Sequence, residues 1–277
     1  MGNTARRRGG PRRMVRWVWS TAAAVVVAAL SVVPATAPAS ASDGPDGRVV
    51  NGQPVSIEDF PWMVAVATPS GQPFCGGAVV APQKVLTAAH CAEKAKANDL
   101  RVIAGRTDLQ SEGGIVAKVV RTWSHPKFHD PTPYSNDVAV LTVDQDLSQS
   151  ALRMPTRDRD RRLYDAGRKG VILGWGRTSE GGDASPRQLM GAMVSVLSDR
   201  TCEKAYGAEY LPDRMVCAGY ERGGTDACQG DSGGPLVVDN RVIGIISWGT
   251  GCARPGKPGV YARVLTYSRQ LSQEIQQ

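Results

Sequence analysis

Short apolar runs separated by Gly, Pro, Asn and Asp make up most of residues 49–277, and this pattern predicts an all-β fold. No long stretch with helical periodicity precedes the C-terminus, where Leu271 and Ile275 lie four residues apart and indicate one closing helix. Many short strands with regular turns are typical of β-barrels or of a β-sandwich. The clearest strand candidates are 78–81, 138–143, 170–173, 236–238 and 242–247.

The N-terminal segment has the composition of an export signal. A cationic stretch at 6–16 precedes an apolar stretch at 17–33, and the small residues Ala39-Ser40-Ala41 follow as a cleavage site. We expect a signal peptide at 1–41 and a secreted, extracellular product. An uncleaved membrane anchor is the alternative, because about 17 apolar residues are at the lower limit for spanning a bilayer. Arg12-Arg13 leaves the Sec and twin-arginine routes both open.

The net charge of +7 comes mainly from this N-terminal part. Residues 1–48 contain seven arginines and two aspartates, so the remaining 229 residues hold 26 basic and 24 acidic side chains. A nearly neutral body does not favour electrostatic capture of nucleic acid, and we expect no nucleic-acid partner. The segment 157–162 mixes Arg with Asp and is predicted to be a solvated loop.

All the cysteines lie in the body of the chain. Their even number in an exported protein predicts disulfides, although six cysteines allow 15 pairings. The absence of a C-x-x-C pair makes zinc or redox chemistry a weak interpretation. The positions are Cys75, Cys91, Cys202, Cys217, Cys228 and Cys252.

Three motifs contain the residues needed for serine-based catalysis. A glycine-rich turn, Gly230-Asp231-Ser232-Gly233-Gly234-Pro235, exposes a serine, and glycine lets the backbone bend sharply there. Because a serine hydroxyl is a poor nucleophile, it needs a neighbouring base, and His90 in Thr87-Ala88-Ala89-His90-Cys91 is the candidate. Asn136-Asp137, before an apolar run, supplies a carboxylate that could orient the imidazole.

In this order, these motifs resemble the trypsin-like (chymotrypsin-fold, S1 family) serine proteases, and the overall likeness is greatest to bacterial secreted trypsins. The resemblance covers residues 49–277. It implies two packed six-stranded antiparallel β-barrels with a short C-terminal helix, and an active site in the cleft between the barrels. We expect the first barrel at about 49–150, the second at about 168–264 and the helix at about 266–277.

The resemblance also implies the roles of the motif residues. His90, Asp137 and Ser232 would form the catalytic triad, and the backbone N–H groups of Gly230 and Ser232 would form the oxyanion hole. Ser247 occupies the family's position for a serine that contacts the aspartate. The implied disulfides are Cys75–Cys91, Cys202–Cys217 and Cys228–Cys252.

A primary substrate pocket follows from the same resemblance, with an acid at its base and glycines in its walls. Asp226 occupies the position at which trypsins hold that acid, so a cationic side chain would be bound there. Ala227 replaces the serine that commonly helps to hold lysine, whereas arginine can grip a carboxylate bidentately. We therefore expect arginine to be preferred over lysine. The expected pocket residues are Asp226, Ala227, Ser247, Trp248, Gly249 and Gly259.

Arg48-Val49-Val50-Asn51-Gly52 resembles the family's activation site. We expect a propeptide at 42–48, cleavage after Arg48, and an ion pair between the new Val49 ammonium and Asp231. All six cysteines follow residue 48, so no disulfide would retain the leader. We expect no stable membrane association after processing.

Other expectations concern ligands and partners. We expect no cofactor and no metal: the segment 106–114 lacks the acidic pattern of the vertebrate trypsin calcium loop, although a calcium site elsewhere stays open. The partners would be protein or peptide substrates with Arg or Lys before the scissile bond, and proteinaceous serine protease inhibitors. A monomer suffices. His125 and His129 are predicted to be surface residues.

Two other functions are compatible with parts of the sequence. A non-catalytic, protease-like binding protein would keep this fold, but such chains usually lose a triad residue or the activation sequence. An esterase would use the same chemistry, but its Gly-x-Ser-x-Gly elbow and its chain order differ from those found here.

Overall fold

The computed structural model describes residues 50–147, 149–156, 158–177, 179–181 and 187–277. The expected signal peptide, the propeptide and the Arg48–Val49 bond lie outside the described residues. Within them, thirteen strands and three α-helices are found. They are β1 (Gln53–Pro54), β2 (Met63–Ala67), β3 (Pro73–Ala81), β4 (Lys84–Thr87), α1 (Ala89–Ala92), β5 (Arg101–Ala104), β6 (Ile115–Ser124), β7 (Ala139–Val143), β8 (Lys169–Gly174), β9 (Met190–Val196), α2 (Asp199–Tyr206), β10 (Met215–Gly219), β11 (Pro235–Val238), β12 (Arg241–Trp248), β13 (Gly259–Arg263) and α3 (Val264–Gln276).

The first six-stranded barrel closes in the order β2-β3-β4-β7-β6-β5, and β5 pairs back with β2. Its strands are antiparallel. Strand β2, Met-Val-Ala-Val-Ala, is buried along its whole length, whereas β6 alternates so that Ala117 and Val119 point inward and Lys118 outward. This two-residue period follows from the pleat, which sends successive side chains to opposite faces.

The second barrel has the order β9-β10-β13-β12-β11-β8, and the pairing of β8 with β9 closes it. Strand β1 joins its edge, because Gln53 pairs with Gly191 and Pro54 with Met190. The expected fold of two six-stranded antiparallel barrels is thus confirmed. The closing helix was expected at 266–277 and is found at Val264–Gln276.

The structure also contains helical segments that periodicity did not predict. Helix α2 begins after Ser198, whose Oγ accepts the N–H of Thr201 at 3.1 Å and caps the helix. Short 3₁₀ helices lie at Ala97–Asp99, Asp158–Tyr164 and Gly207–Glu209. No helix in the described part of the chain is long and apolar enough to cross a membrane.

Two surface predictions need correction. The segment 157–162 was expected to be a solvated loop. Arg159, Arg161 and Arg162 are exposed, but a 3₁₀ helix starts at residue 158 and Asp160 is buried, where its carboxylate accepts the N–H of Thr156 at 3.0 Å. His125 was expected on the surface, but it is only 7% exposed. Its Nε2 lies 3.1 Å from Oε1 of Gln270, and its ring packs edge-on against Tyr267. His129 is exposed, as expected.

Three disulfides cross-link the described residues, with the pairing that the resemblance implied: Cys75–Cys91, Cys202–Cys217 and Cys228–Cys252. They close loops with sequence separations of 16, 15 and 24 residues. In the chain-entropy description, each contributes roughly 3 kcal/mol by restricting the unfolded chain. The first ties α1 to β3 and so fixes the residue beside His90.

Candidate active site

His90 and Asp137 come from different segments of the first barrel and meet directly. Helix α1 presents His90, and Asp137 lies two residues before β7. The Nδ1 atom of His90 is 2.7 Å from Oδ2 of Asp137, and the backbone N–H of His90 donates to Oδ1 at 2.9 Å. Because a carboxylate only accepts hydrogen bonds, the proton of a neutral imidazole lies on Nδ1 and leaves Nε2 as the base.

Asp137 is fully buried and has a further donor, the Oγ–H of Ser247, which reaches Oδ2 at 2.6 Å. Asn136 fixes the turn before it. The side-chain amide of Asn136 donates to the carbonyls of Lys127 and Asp130, at 2.7 Å each, and its backbone has φ +58°. The buried carboxylate is therefore held by hydrogen bonds in one orientation, as a group that orients a histidine must be.

Ser232 lies in a turn that only glycines permit. Gly230 has φ +100° and Gly233 has φ +81°, a region that other residues rarely adopt. A Cβ on Gly233 would lie 2.2 Å from Oγ1 of Thr87, and one on Gly230 would lie 2.9 Å from Cα of Gly176. The carbonyl of Ser232 accepts the N–H of Gly76 at 2.7 Å, which docks the turn onto the first barrel.

The backbone N–H groups of Gly230 and Ser232 have no acceptor among the described residues, although their neighbours do. Asp231 donates to the carbonyl of Cys228 and Gly233 to that of Ile246. Two free donors on either side of Asp231 could bind a negatively charged oxygen.

One cavity of about 430 Å³ joins the histidine, the serine and the expected pocket. Cys91 Sγ lies 3.5 Å from both His90 Nε2 and the carbonyl oxygen of Ser232, so the two segments meet beside the disulfide. All six expected pocket residues line this cavity together with His90 and Ser232: Asp226, Ala227, Ser247, Trp248, Gly249 and Gly259.

Asp226 lies at the cavity wall with 3% of its surface exposed. Burial raises the pKa of its carboxyl to about 7, against the opposing effect of the N–H groups of Ala253 and Ala227. Those groups donate to its two oxygens at 3.1 and 2.8 Å. A buried acid whose ionised form lacks a full set of partners is well suited to bind a cation.

Asp231 is also an acid without a cation among the described residues. It is fully buried, and burial raises the pKa of its carboxyl to about 7. Its oxygens accept the N–H of Gly176 at 2.7 Å and that of Cys228 at 2.9 Å. A Cβ on Gly176 would lie 2.5 Å from Oδ1, so glycine there makes room for the carboxylate.

The start of the described chain is attached beside this region. The backbone N–H of Val50 donates to the carbonyl of Asp226 at 3.1 Å, and the amide of Asn51 donates to the carbonyl of Gly224. Residue 50 is therefore anchored to the segment that contains both buried aspartates.

Sequence reasoning missed several residues that line the cavity: Lys94, Tyr134, Gln229 and Tyr261. The ring of Tyr134 meets the His90 ring edge-on at 5.9 Å and stacks on Trp248 at 6.5 Å. The Tyr261 hydroxyl is buried without a hydrogen-bond partner among the described residues. Only proximity to a motif could have identified Tyr134, which lies three residues before Asp137.

One group of potential metal ligands was found in the described residues, namely Cys75, His90 and Cys91. Both cysteines form a disulfide, so their sulfurs are not thiolates and do not suit a metal ion.

Comparison with known proteins gives one family. The profile of the Trypsin family matches residues 49–271. A trypsin from Saccharopolyspora erythraea is 48% identical over 227 residues, which cover 82% of this chain and 98% of that protein. A trypsin-like protease from Streptomyces glaucescens is 35% identical over 274 residues, 97% and 95% of the two chains. Trypsin 5G1 from Aedes aegypti is 40% identical over 223 residues, 79% and 81% of the two chains.

Proposed function

The chain belongs to the trypsin family of serine endopeptidases, and on that premise we propose that it is a secreted, monomeric enzyme that cleaves after arginine and less well after lysine. It acts on protein or peptide substrates. It is made as a precursor, with a signal peptide at 1–41 and a propeptide at 42–48, and is activated by cleavage after Arg48. Proteinaceous serine protease inhibitors are further partners.

Ser232 is the nucleophile in the proposed reaction. Its Oγ attacks the carbonyl carbon of the scissile bond while Nε2 of His90 takes the hydroxyl proton. The tetrahedral intermediate collapses as His90 returns that proton to the leaving amine, and an acyl-enzyme remains. A water molecule, deprotonated by the same imidazole, then attacks the ester carbonyl, and the Ser232 hydroxyl is regenerated.

Asp137 positions the imidazole and stabilises its charged form. The hydrogen bond from Nδ1 at 2.7 Å selects the tautomer whose Nε2 can accept a proton. The donors on Asp137, His90 N–H and Ser247 Oγ–H, hold the buried carboxylate in one orientation.

The backbone N–H groups of Gly230 and Ser232 stabilise the negative oxygen of each tetrahedral intermediate. Support comes from their lack of an acceptor within the described chain, together with the glycine-dependent turn that holds them. Fixed donors need no reorganisation during the reaction, and losing one typically costs about 3 kcal/mol of transition-state stabilisation.

Asp226 determines the primary specificity. Its buried carboxylate attracts a long cationic side chain, and Gly249 and Gly259 leave the walls open for that side chain. A guanidinium donates two parallel hydrogen bonds to a carboxylate, whereas an ammonium relies on additional acceptors. Ala227 offers no side-chain acceptor, so arginine is favoured over lysine.

Activation pairs the Val49 ammonium with Asp231. Support comes from the hydrogen bond between the Val50 N–H and the carbonyl of Asp226, which lies five residues before Asp231. Because the Asp231 carboxyl is fully buried, its ionisation is costly until a cation is present. Pairing then fixes residues 230–232 and, with them, the oxyanion donors.

The observation that supports this function most directly is the hydrogen bond between His90 Nδ1 and Asp137 in a cavity that also contains Ser232 and Asp226. The test is labelling of the secreted protein with a phosphonate carrying an arginine-like side chain, followed by peptide mapping. The label should be found on Ser232 and should be absent from the Ser232→Ala variant. The exposed Ser150→Ala variant should be labelled normally. Labelling at another residue would contradict the proposal, and so would the absence of labelling in a protein that starts at Val49.

A further inference from the structure

A second cavity, of about 380 Å³, lies where the segment between the barrels meets α3. Its apolar lining residues include Val80, Leu152, Met154 and Ile275. Three of its lining residues are arginines from two different parts of the chain, Arg153, Arg159 and Arg241. None of its lining residues belongs to the active-site cavity.

The three guanidinium groups have no hydrogen-bond or ion-pair partner among the described residues. Other arginines of this protein do, as the pairs Arg121–Glu274, Arg254–Glu180 and Arg263–Asp199 illustrate. Among the described residues of the lining, the one carboxylate is that of Asp160, which is 7% exposed and accepts the N–H of Thr156. The cavity therefore has a surplus of positive charge.

The backbone holds two of these arginines side by side. Arg153 and Arg241 form a parallel β-bridge, and the N–H of Val242 donates to the carbonyl of Arg153 at 2.9 Å. Bridged strands lie about 4.8 Å apart, so two like charges are attached at neighbouring backbone positions. Like charges in this relationship destabilise a sheet, and a bound anion would remove the repulsion.

We propose that the cavity lined by Arg153, Arg159 and Arg241 is a binding site for a phosphate group, either free or carried on a polyphosphate chain. The planar guanidinium forms two parallel hydrogen bonds with the oxygens of phosphate, and three such groups match a multiply charged anion. Because the site shares no residue with the active-site cavity, this inference is independent of the proposed proteolytic function.

Thermal unfolding of the Ser232→Ala chain, in which self-digestion is removed, tests the site with inorganic phosphate against chloride at equal ionic strength. Saturating phosphate should raise the midpoint by about 3 °C. The double variant Arg153→Gln/Arg241→Gln should lose that rise and, without phosphate, should unfold at the same temperature as the parent or higher. The control Arg200→Gln/Arg269→Gln removes two exposed arginines outside the cavity and should keep the rise.

A second arm uses polyphosphate, with binding measured by calorimetry. Binding of both probes indicates a site for the free ion, whereas binding of polyphosphate alone indicates a site for a phosphate group carried on a polymer. Either result supports the proposal if the Arg153→Gln/Arg241→Gln variant loses the binding. The Arg153→Lys/Arg241→Lys variant keeps the positive charges but lacks the planar guanidinium groups, so it should bind the probes at least tenfold more weakly. This variant keeps the test decisive if the glutamine variant does not fold. Equal responses in parent and lysine variant, or no response to either probe, would overturn the proposal.

Discussion

A Cβ atom on Gly259 would lie 2.5 Å from Oδ1 of Asp226. The buried carboxylate of Asp226 can therefore occupy its position in the cavity wall only because residue 259 has no side chain. Asp226 is also held by the N–H groups of Ala227 and Ala253, so it cannot move away without losing hydrogen bonds. Pocket shape and pocket charge depend on the same pair of residues.

Gly259→Ala should lower kcat/KM for arginine substrates by about 100-fold, because a displaced carboxylate no longer meets the guanidinium. Steady-state kinetics on an arginine anilide peptide measure the effect. Gly113→Ala is the matched control, since a Cβ at residue 113 meets nothing within 4 Å. Unchanged kinetics in Gly259→Ala would show that Asp226 does not bind the substrate cation.

Binding of a cationic inhibitor should depend on the ionisation of Asp226. Its pKa is raised to about 7 by burial, so in the free enzyme the carboxyl is neutral below pH 7 and charged above it. A benzamidinium ion binds the charged form, so its inhibition constant should rise by about tenfold between pH 6 and pH 5. Benzamidinium should inhibit the Asp226→Asn variant only weakly, and its inhibition constant for this variant should not depend on pH over this range. A constant value in the parent enzyme from pH 5 to pH 8 would contradict this account.

Replacing Arg48 should block activation. The Arg48→Gln chain should be secreted uncleaved and have less than about 1% of the parent's activity, because no Val49 ammonium forms to pair with Asp231. N-terminal sequencing and anilide hydrolysis measure the two effects. Full activity of this uncleaved variant would show that Asp231 needs no activating partner.

The stability of the same variant provides a second measurement. An acid whose pKa is about 7 in the folded state, well above its unfolded value, stabilises the fold below pH 4, and this stability is lost as the pH rises toward 7. The uncleaved Arg48→Gln chain should therefore lose stability between pH 4 and pH 7. The cleaved parent should lose less, because the ammonium favours ionised Asp231.

Ala227→Ser should change the selectivity between the two basic residues. A hydroxyl at residue 227 supplies an acceptor for a lysine ammonium, so the Arg/Lys ratio of kcat/KM should fall by about three- to tenfold, equivalent to one ordinary hydrogen bond. Ala208→Ser, at an exposed residue outside those that line the cavity, is the control and should leave the ratio unchanged. If Ala227→Ser leaves the Arg/Lys ratio unchanged, Ala227 does not determine the preference for arginine.

Local patterns were sufficient to predict an all-β fold of short strands, because strand alternation and turn residues are encoded within a few positions. The choice of two six-stranded barrels over a β-sandwich came from the family resemblance. Local patterns were not sufficient where burial depends on distant segments. His125, for example, packs against Gln270 and Tyr267, some 145 residues away. Likewise, nothing near Arg153 indicates its bridge to Arg241.

The site was predictable to the extent that its residues lie in motifs. Ser232, His90 and Asp226 each lie in a distinctive segment, and the structure brings all three to one cavity. Tyr134 and Lys94 do not lie in motifs, and only the folded structure shows that they line the same cavity.

The most direct test of the central claim is the kcat/KM of the secreted protein on matched anilide peptides that differ only in having Arg, Lys or Phe before the scissile bond. The account predicts efficient cleavage after Arg, weaker cleavage after Lys and negligible cleavage after Phe. Equal or faster cleavage after Lys would contradict the role of Ala227. No turnover by protein that begins at Val49 would contradict the catalytic roles of His90, Asp137 and Ser232.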